Sequence, residues 1–195
     1  MSLKGYTNKN SLERYMLVNI DGSFNSQIDE WIEGVEGGVD KHTGRNFIAD
    51  TVASIRKYDG DGTHELLIDD CVELTKIEMG DPTLTKDELD SDDYHIYPYN
   101  ETPKTRIYYD GIFTRSHENI DVTAKWGYSV NCPTDIRLAT TILVSLIIEE
   151  AWQSEGETES ETIGTYSISY RKTEQNQGKF DRAKAILERY RKIPI

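Results

Sequence analysis

The sequence has few of the residues and patterns that mark the commonest functional classes. It contains only two cysteines among 195 residues. Cys71 and Cys132 lie far apart and form no CxxC motif, which argues against a disulfide scaffold, a zinc site or a thioredoxin-like redox pair. We therefore expect two buried, reduced thiols.

Long apolar runs are also missing. The longest one, residues 142–148, is far shorter than the roughly 20 residues that a membrane helix needs. The N-terminus has no charged-then-apolar signal pattern. We expect a protein that is made in the cytoplasm and stays there, and that has no membrane partner.

Basic residues are scarce. Lys and Arg number 22 against 35 Asp and Glu, which gives a formal net charge of −13. Such a chain repels the phosphate backbone, so ordinary nucleic-acid binding is not expected. The charge is also uneven, because residues 149–161 carry −6 whereas residues 162–195 carry +5. This opposition fits a solvated helix face, attraction within one subunit, attraction between copies or docking onto an acidic protein.

No catalytic motif is present: we find no GxSxG, phosphate-binding loop or HExxH pattern, and the four histidines are isolated. The run Asp59-Gly60-Asp61-Gly62 has the alternating oxygens of a calcium loop. However, His64 stands where an EF-hand needs glycine, and Asp70 stands where it needs glutamate. A hairpin turn is the better interpretation. We predict no catalytic residue, metal ligand or cofactor.

Periodicity divides the chain into three segments. Residues 1–47 are predicted to be helical, since Ile28, Trp31, Ile32, Val35 and Val39 form one apolar stripe that ends at Gly44. Residues 48–130 alternate β-branched and aromatic residues with polar ones and contain an acidic loop, 81–93. From residue 131 helical periodicity returns, with one helix ending near residues 155–156, an extended segment at 162–170 and a last helix. The predicted fold is α+β, a helical bundle core with an inserted antiparallel β segment in one compact unit.

Within the helix that carries the apolar stripe of residues 28–39, Gly34 and the pair Gly37-Gly38 indicate a helix break or a close packing contact.

Three strings resemble the head-to-tail connector family of tailed bacteriophages, also called head completion or neck adaptor proteins. The first is residues 27–32 (QIDEWI) running into 39–47 (VDKHTGRNF). The second is residues 58–62 (YDGDG) with 65–68 (ELLI), 122–128 (VTAKWGY) and 132–136 (CPTDI). The third is residues 161–170 (ETIGTYSISY). Together they span nearly the whole chain in the family's order.

The resemblance implies a non-enzymatic virion protein of the neck, assembled in the host cytoplasm. In that family copies join into a ring, usually dodecameric, below the portal protein. The ring extends the DNA channel, through which DNA passes without specific binding, and it offers a docking surface for a stopper, neck or tail protein.

Two sets of residues become candidate partner contacts on this basis. The extended segment with Tyr166, Ile168 and Tyr170 is expected to be mobile in the free subunit and to pair with a neighbouring subunit. Residues 171–192 are expected to dock on the portal or an adjacent subunit. The basic candidates there are Lys179, Arg182, Arg189, Arg191 and Lys192.

One alternative of another class remains open at this point. A β-rich module that binds calcium or carbohydrate would use the tyrosines of residues 94–109 to line a groove, although strand aromatics more often pack in cores or pair across strands. An acid/base hydrolase is a weaker alternative, since no motif supports it.

Overall fold

The structure is a computed structural model that describes residues 3–152 and 158–192. Within these residues the chain forms four α-helices and eight β-strands in two compact units. The helical unit joins residues 1–47 to residues 132–195, and the sheet unit is residues 48–131.

The helices and strands of each unit are numbered in chain order. In the helical unit they are α1 Lys9–Met16, α2 Asn25–Thr43, α3 Thr134–Trp152, β7 Thr158–Ile163, β8 Tyr166–Arg171 and α4 Glu174–Glu188. In the sheet unit they are β1 Ser54–Gly60, β2 Glu65–Met79, β3 Asp87–Glu88, β4 Tyr94–Tyr97, β5 Lys104–Tyr109 and β6 Ser116–Trp126.

Helix α2 follows the predicted apolar stripe. Ile28, Ile32, Val35 and Val39 are all buried, and the helix ends at Gly44, whose φ of 69° is left-handed. Glycine adopts that conformation without the Cβ clash that other residues meet, so the position of the helix end follows from the sequence.

Helix α3 is the centre of the helical unit. It is apolar on most sides and packs against α1, α2, α4 and β8. The hydroxyls of the buried Thr140 and Ser145 donate to the carbonyls of Ile136 and Ile142, so these polar groups remain satisfied. The predicted end of this helix near residues 155–156 lies outside the described residues.

The predicted helical bundle core is wrong. The structure is a mixed α+β fold in which a six-stranded antiparallel sheet has a core of its own. The helical unit also contains a hairpin, in which β8 pairs antiparallel with β7 of the same chain. Ile163, Ile168 and Tyr170 of this hairpin are buried, and β8 packs against α3. The extended segment therefore has an intramolecular strand partner and a core contact, which the apolar alternation alone did not reveal.

The sheet unit has the strand order β1-β6-β2-β5-β4, with the short β3 paired to β2. Its core is formed by one face of the sheet and includes Trp126, Ile107, Ile120 and Val122. Strand β2 runs through the bulges at residues 71–76 as one element.

The N-terminal segment is held on α2 by a buried carboxylate. Glu36 is 1% exposed and accepts backbone N–H bonds from Lys4, Gly5 and Tyr6 at 2.7–3.0 Å. The Tyr6 hydroxyl donates to Asp40 and accepts the N–H of Phe47. Residues 3–7 are therefore part of the fold of the helical unit.

Candidate interaction surfaces

The exposed side of α4 and the residue just after it carry two of the basic candidates, Arg182 and Arg189. The buried side of α4 includes Phe180, Ala183 and Leu187, so Arg182, Lys184 and Arg189 point to solvent. Within the described residues these three side chains form no ion pair. We call Arg182 and Arg189, which share one side of the helix, the basic strip; Lys184, two residues after Arg182, points to another side. Its charges are available to a partner.

Two other predicted basic contacts have roles inside the unit. The Lys179 ammonium binds both carboxylate oxygens of Glu149 on α3 at 2.7 and 2.8 Å. The Lys192 backbone N–H donates to the carbonyl of Thr43 at 2.7 Å, which joins the end of the last helix to the end of α2. Arg191 is exposed, 3.7 Å from Glu188.

The predicted aromatic and apolar contacts lie in the β7–β8 hairpin. Ile168 and Tyr170 are both 0% exposed. The Tyr170 hydroxyl lies 2.6 Å from a Glu161 oxygen and 2.7 Å from the Gln177 carbonyl oxygen. Burial and the Glu161 carboxylate raise the pKa of Tyr170. Both side chains stabilise the hairpin from inside, so only a rearranged subunit would present them to a partner.

Tyr166 shows why α2 contains glycines. A Cβ built on Gly34 would lie 2.3 Å from the Tyr166 ring, and one built on Gly38 would lie 2.7 Å from the Ile163 carbonyl oxygen. The hairpin therefore rests directly on the backbone of α2. The interpretation as a helix break is wrong, because α2 continues through these glycines. Close packing is confirmed for Gly34 and Gly38, whereas a Cβ on Gly37 would meet no atom within 4 Å.

In the sheet unit, Asp59 and Gly60 end β1, and residues 61–64 lead the chain into β2. The predicted hairpin is wrong, because β1 and β2 each pair with β6 and are separated by it. Asp61 accepts the N–H and the hydroxyl of Thr63, while Asp59 accepts the Glu118 N–H and faces His117 Nδ1 at 3.1 Å. These hydrogen bonds hold the pKa of both carboxyls below their ordinary value. Across the part of the chain that the structure describes, no group of three or more His, Cys, Asp or Glu residues is placed to hold a metal.

The face of the sheet opposite the core differs between its two halves. On β6 and the second half of β2, lysines and acidic residues alternate in ion pairs such as Lys125–Glu73 at 2.7 Å and Lys76–Glu78 at 2.9 Å. On β4, β5 and the first half of β2, Leu67, Tyr97 and Tyr108 lie among the charged residues Glu65, Lys104 and Arg106. We call this second half the aromatic face, formed by Leu67, Tyr97, Tyr99, Arg106 and Tyr108.

The aromatic residues of the alternative groove are divided between the two faces. Tyr94 and Tyr109 form a cross-strand pair and pack against the core, whereas Tyr97 and Tyr108 lie on the opposite side. Since successive side chains alternate across a strand, these tyrosines do not line one groove.

Both cysteines are buried and reduced, as expected. Burial raises the pKa of Cys71 and of Cys132 to about 11. Both thiols are therefore protonated at neutral pH and poorly nucleophilic. None of the helices in residues 3–152 and 158–192 combines the length and hydrophobicity of a membrane span.

A comparison with protein families matches residues 11–193 to the head completion protein family. The chain belongs to the head completion protein family. The family is a structural one of the phage head and neck, which is consistent with the expectation of a non-enzymatic protein. Among curated proteins no match is found.

Two solved structures are similar to this head completion protein. One is a chain of the neck of an empty GTA particle computed with C6 symmetry, with a TM-score of 0.61 and 10% identity over 95% of this chain and 88% of the other. The second is a chain of the neck of a native GTA particle computed with C12 symmetry, with a TM-score of 0.52 and 10% identity over 95% and 91%. At this identity the likeness concerns the fold.

Proposed function

We propose that this head completion protein is a ring subunit of the virion neck, placed below the portal. There it extends the DNA channel and presents a docking surface to the next neck or tail protein. The observation that carries the proposal is the family match over residues 11–193. The similar fold in GTA necks described with C12 and C6 symmetry supports a cyclic arrangement.

A ring requires two unlike, complementary surfaces on every subunit. The basic strip on α4 is one candidate. The sheet unit has the opposite charge, since residues 48–131 contain eight Lys and Arg against eighteen Asp and Glu, a net −10. This chain therefore carries charged surfaces of both signs on different units.

The net charge also suits a channel for DNA. A protein of charge −13 neutralises few phosphates, and phosphate neutralisation supplies most of non-specific DNA affinity. DNA would thus pass through the ring without being held by it.

We further propose that Arg182, Arg189 and Arg191 contact the portal or an adjacent subunit. All three are exposed on or just after α4. We leave Lys179 and Lys192 out of this proposed contact, because Lys179 bonds Glu149 and the Lys192 backbone bonds Thr43. Ile168 and Tyr170 are left out because they are buried in the hairpin.

The experiment is electron microscopy of portal rings of the same phage after mixing with the purified chain. We expect a second layer of density with the cyclic symmetry of the ring. The variant with Arg182, Arg189 and Arg191 changed to Glu should fold normally by circular dichroism and form no layer. A matched control changes Arg14, Lys41 and Arg137 to Glu, which reverses three exposed charges of the same unit outside residues 171–192. Absence of the layer with the unchanged chain would contradict the ring proposal, and a normal layer with the first variant would contradict the assigned contacts.

A further inference from the structure

The aromatic face of the sheet unit exposes apolar side chains to solvent. Leu67 is 46% exposed and Tyr99 is 58% exposed. On the other half of the same face, Lys86, Lys125 and their carboxylate partners keep the surface charged and paired. Large exposed apolar side chains that share one face of a sheet are candidates for an interaction site in a soluble protein.

The side chains of this face hold one another in place. The rings of Tyr97 and Tyr99 lie 4.4 Å apart and their hydroxyl oxygens 3.0 Å apart. The Arg106 guanidinium lies 4.9 Å from the centre of the Tyr97 ring, and His64 stacks on Tyr108 at 5.8 Å and 19°. Tyrosine and arginine are enriched among residues that dominate binding energy, and side chains already held in place lose less entropy on binding.

Carboxylates surround the apolar part of the face. Asp59, Asp61 and Glu65 line one surface hollow together with Leu67 and Tyr108. Glu65 has only a long contact with Arg106, at 3.4 Å and 3.5 Å. Asp110 lies close enough to Tyr99 to contribute to the raised pKa of that phenol, after the hydrogen bond to Tyr97 and burial.

This combination of groups fits an arginine or lysine side chain. The cationic head would meet the rim carboxylates Asp59, Asp61 and Glu65, since Arg106 and His64 already lie against the rings of Tyr97 and Tyr108. The aliphatic stem would cover Leu67 and Tyr108, since long basic side chains bury their methylene groups on apolar surface. The ligand chemistry is therefore a row of basic side chains on a rigid support.

We propose that the aromatic face binds the basic strip of α4 from a second copy of this chain. Arg182 and Arg189 lie seven residues apart on one side of α4, with the exposed Ala185 between them. The strip has no ion pair within the described part of its own chain and is complementary in charge to the rim. A contact between unlike surfaces repeats from copy to copy, as a ring requires. This inference rests on the proposed ring function and names the surface that receives the basic strip.

Cross-linking on portal rings tests the contact. The variant carrying both Leu67→Cys and Ala185→Cys is mixed with portal rings and treated with a short bis-maleimide linker. We expect a ladder of covalent multimers on a denaturing gel. Cys71 and Cys132 are buried and should contribute little. The control pairs Ala185→Cys with Glu73→Cys, on the charged half of the same sheet face, and should remain monomeric. A ladder with both pairs, or with neither, would overturn the inference.

Charge exchange provides a second test with the same rings. Glu65→Lys alone and Arg182→Glu alone should each weaken formation of the layer by about tenfold in the protein concentration required, and the double variant should recover most of the loss, because oppositely charged groups across an interface are coupled. Glu73→Lys is the matched control and should have little effect. If the layer forms but Glu65→Lys leaves it unchanged, only this inference fails; if the unchanged chain forms no layer, the ring proposal fails.

Discussion

The close packing of the β7–β8 hairpin on α2 leads to opposite expectations for two neighbouring glycines. A Cβ on Gly37 would meet no atom within 4 Å, whereas a Cβ on Gly38 would lie 2.7 Å from the Ile163 carbonyl oxygen and 2.9 Å from Tyr166 Cβ. Both glycines lie inside the same helix, Asn25–Thr43. Gly37→Ala is therefore a matched control for Gly38→Ala.

The magnitudes follow from two effects. Alanine in a helix interior is more favourable than glycine by roughly 0.5–1 kcal/mol, so Gly37→Ala should stabilise the protein by that amount. Gly38→Ala gains the same propensity but forces the hairpin backbone to move, and overpacking of this kind costs about 1–3 kcal/mol. We expect Gly38→Ala to destabilise the protein by about 1 kcal/mol overall.

Urea unfolding followed by far-UV circular dichroism measures both changes, because the helices of this unit dominate the signal. The midpoint should rise for Gly37→Ala and fall for Gly38→Ala. Gly34→Ala should lie between them, since its clash at 2.3 Å is with the movable Tyr166 ring. Equal midpoints for Gly37→Ala and Gly38→Ala would refute the placement of the hairpin on α2.

Two further predictions concern buried side chains. Tyr170→Phe should destabilise the protein by about 1–1.5 kcal/mol in the same urea assay, because it removes the hydroxyl that bonds Glu161 and Gln177; an unchanged midpoint would contradict these bonds. Cys71 and Cys132 should react slowly with iodoacetamide near neutral pH and faster as pH rises toward their raised pKa of about 11. Both should react fast in urea, and rapid labelling of the native protein would show that the thiols are not buried.

The sequence predicted the helices best where one buried face repeats along the chain. Ile28, Ile32 and Val35 on α2 are spaced at helical intervals because that helix buries a single side. The same holds for α4, where Phe180 and Leu187 lie on its buried side. In both helices the local pattern and the tertiary burial agree, so the pattern was sufficient.

Strand β7 was missed for the opposite reason. Five of its six residues are Thr, Ser or Glu, and Ile163 is its only apolar side chain. Its strand character arises from pairing with β8, including a 2.7 Å hydroxyl contact between Ser160 and Ser167. A strand that forms because a distant segment pairs with it need not show an apolar period in its own sequence. The division into two cores also depends on contacts between distant segments, so the sequence pattern did not predict it.

The candidate contacts show a similar limit at the level of single side chains. The apolar stripe of α4 places Arg182 and Arg189 on the solvent side, and this could be read from spacing. Lys179 lies only three residues from Arg182 but meets Glu149 of α3. Sequence spacing gives the direction of a side chain around its own helix, but it does not identify the neighbour on another helix.

The net charge of the two structural units differs from the net charge of the chain segments read along the sequence. Along the chain, the division is −18 on residues 1–161 against +5 on residues 162–195. By unit, the sheet unit carries −10 and the helical unit therefore the remaining −3 of the total −13. Six of the eight cations of the sheet unit are already ion-paired. Cations within the sheet unit therefore cannot balance its carboxylates. The cations of the basic strip form no ion pair within the described residues. In the proposed ring, copies arranged head to tail would bring these cations to the acidic sheet unit of a neighbouring copy.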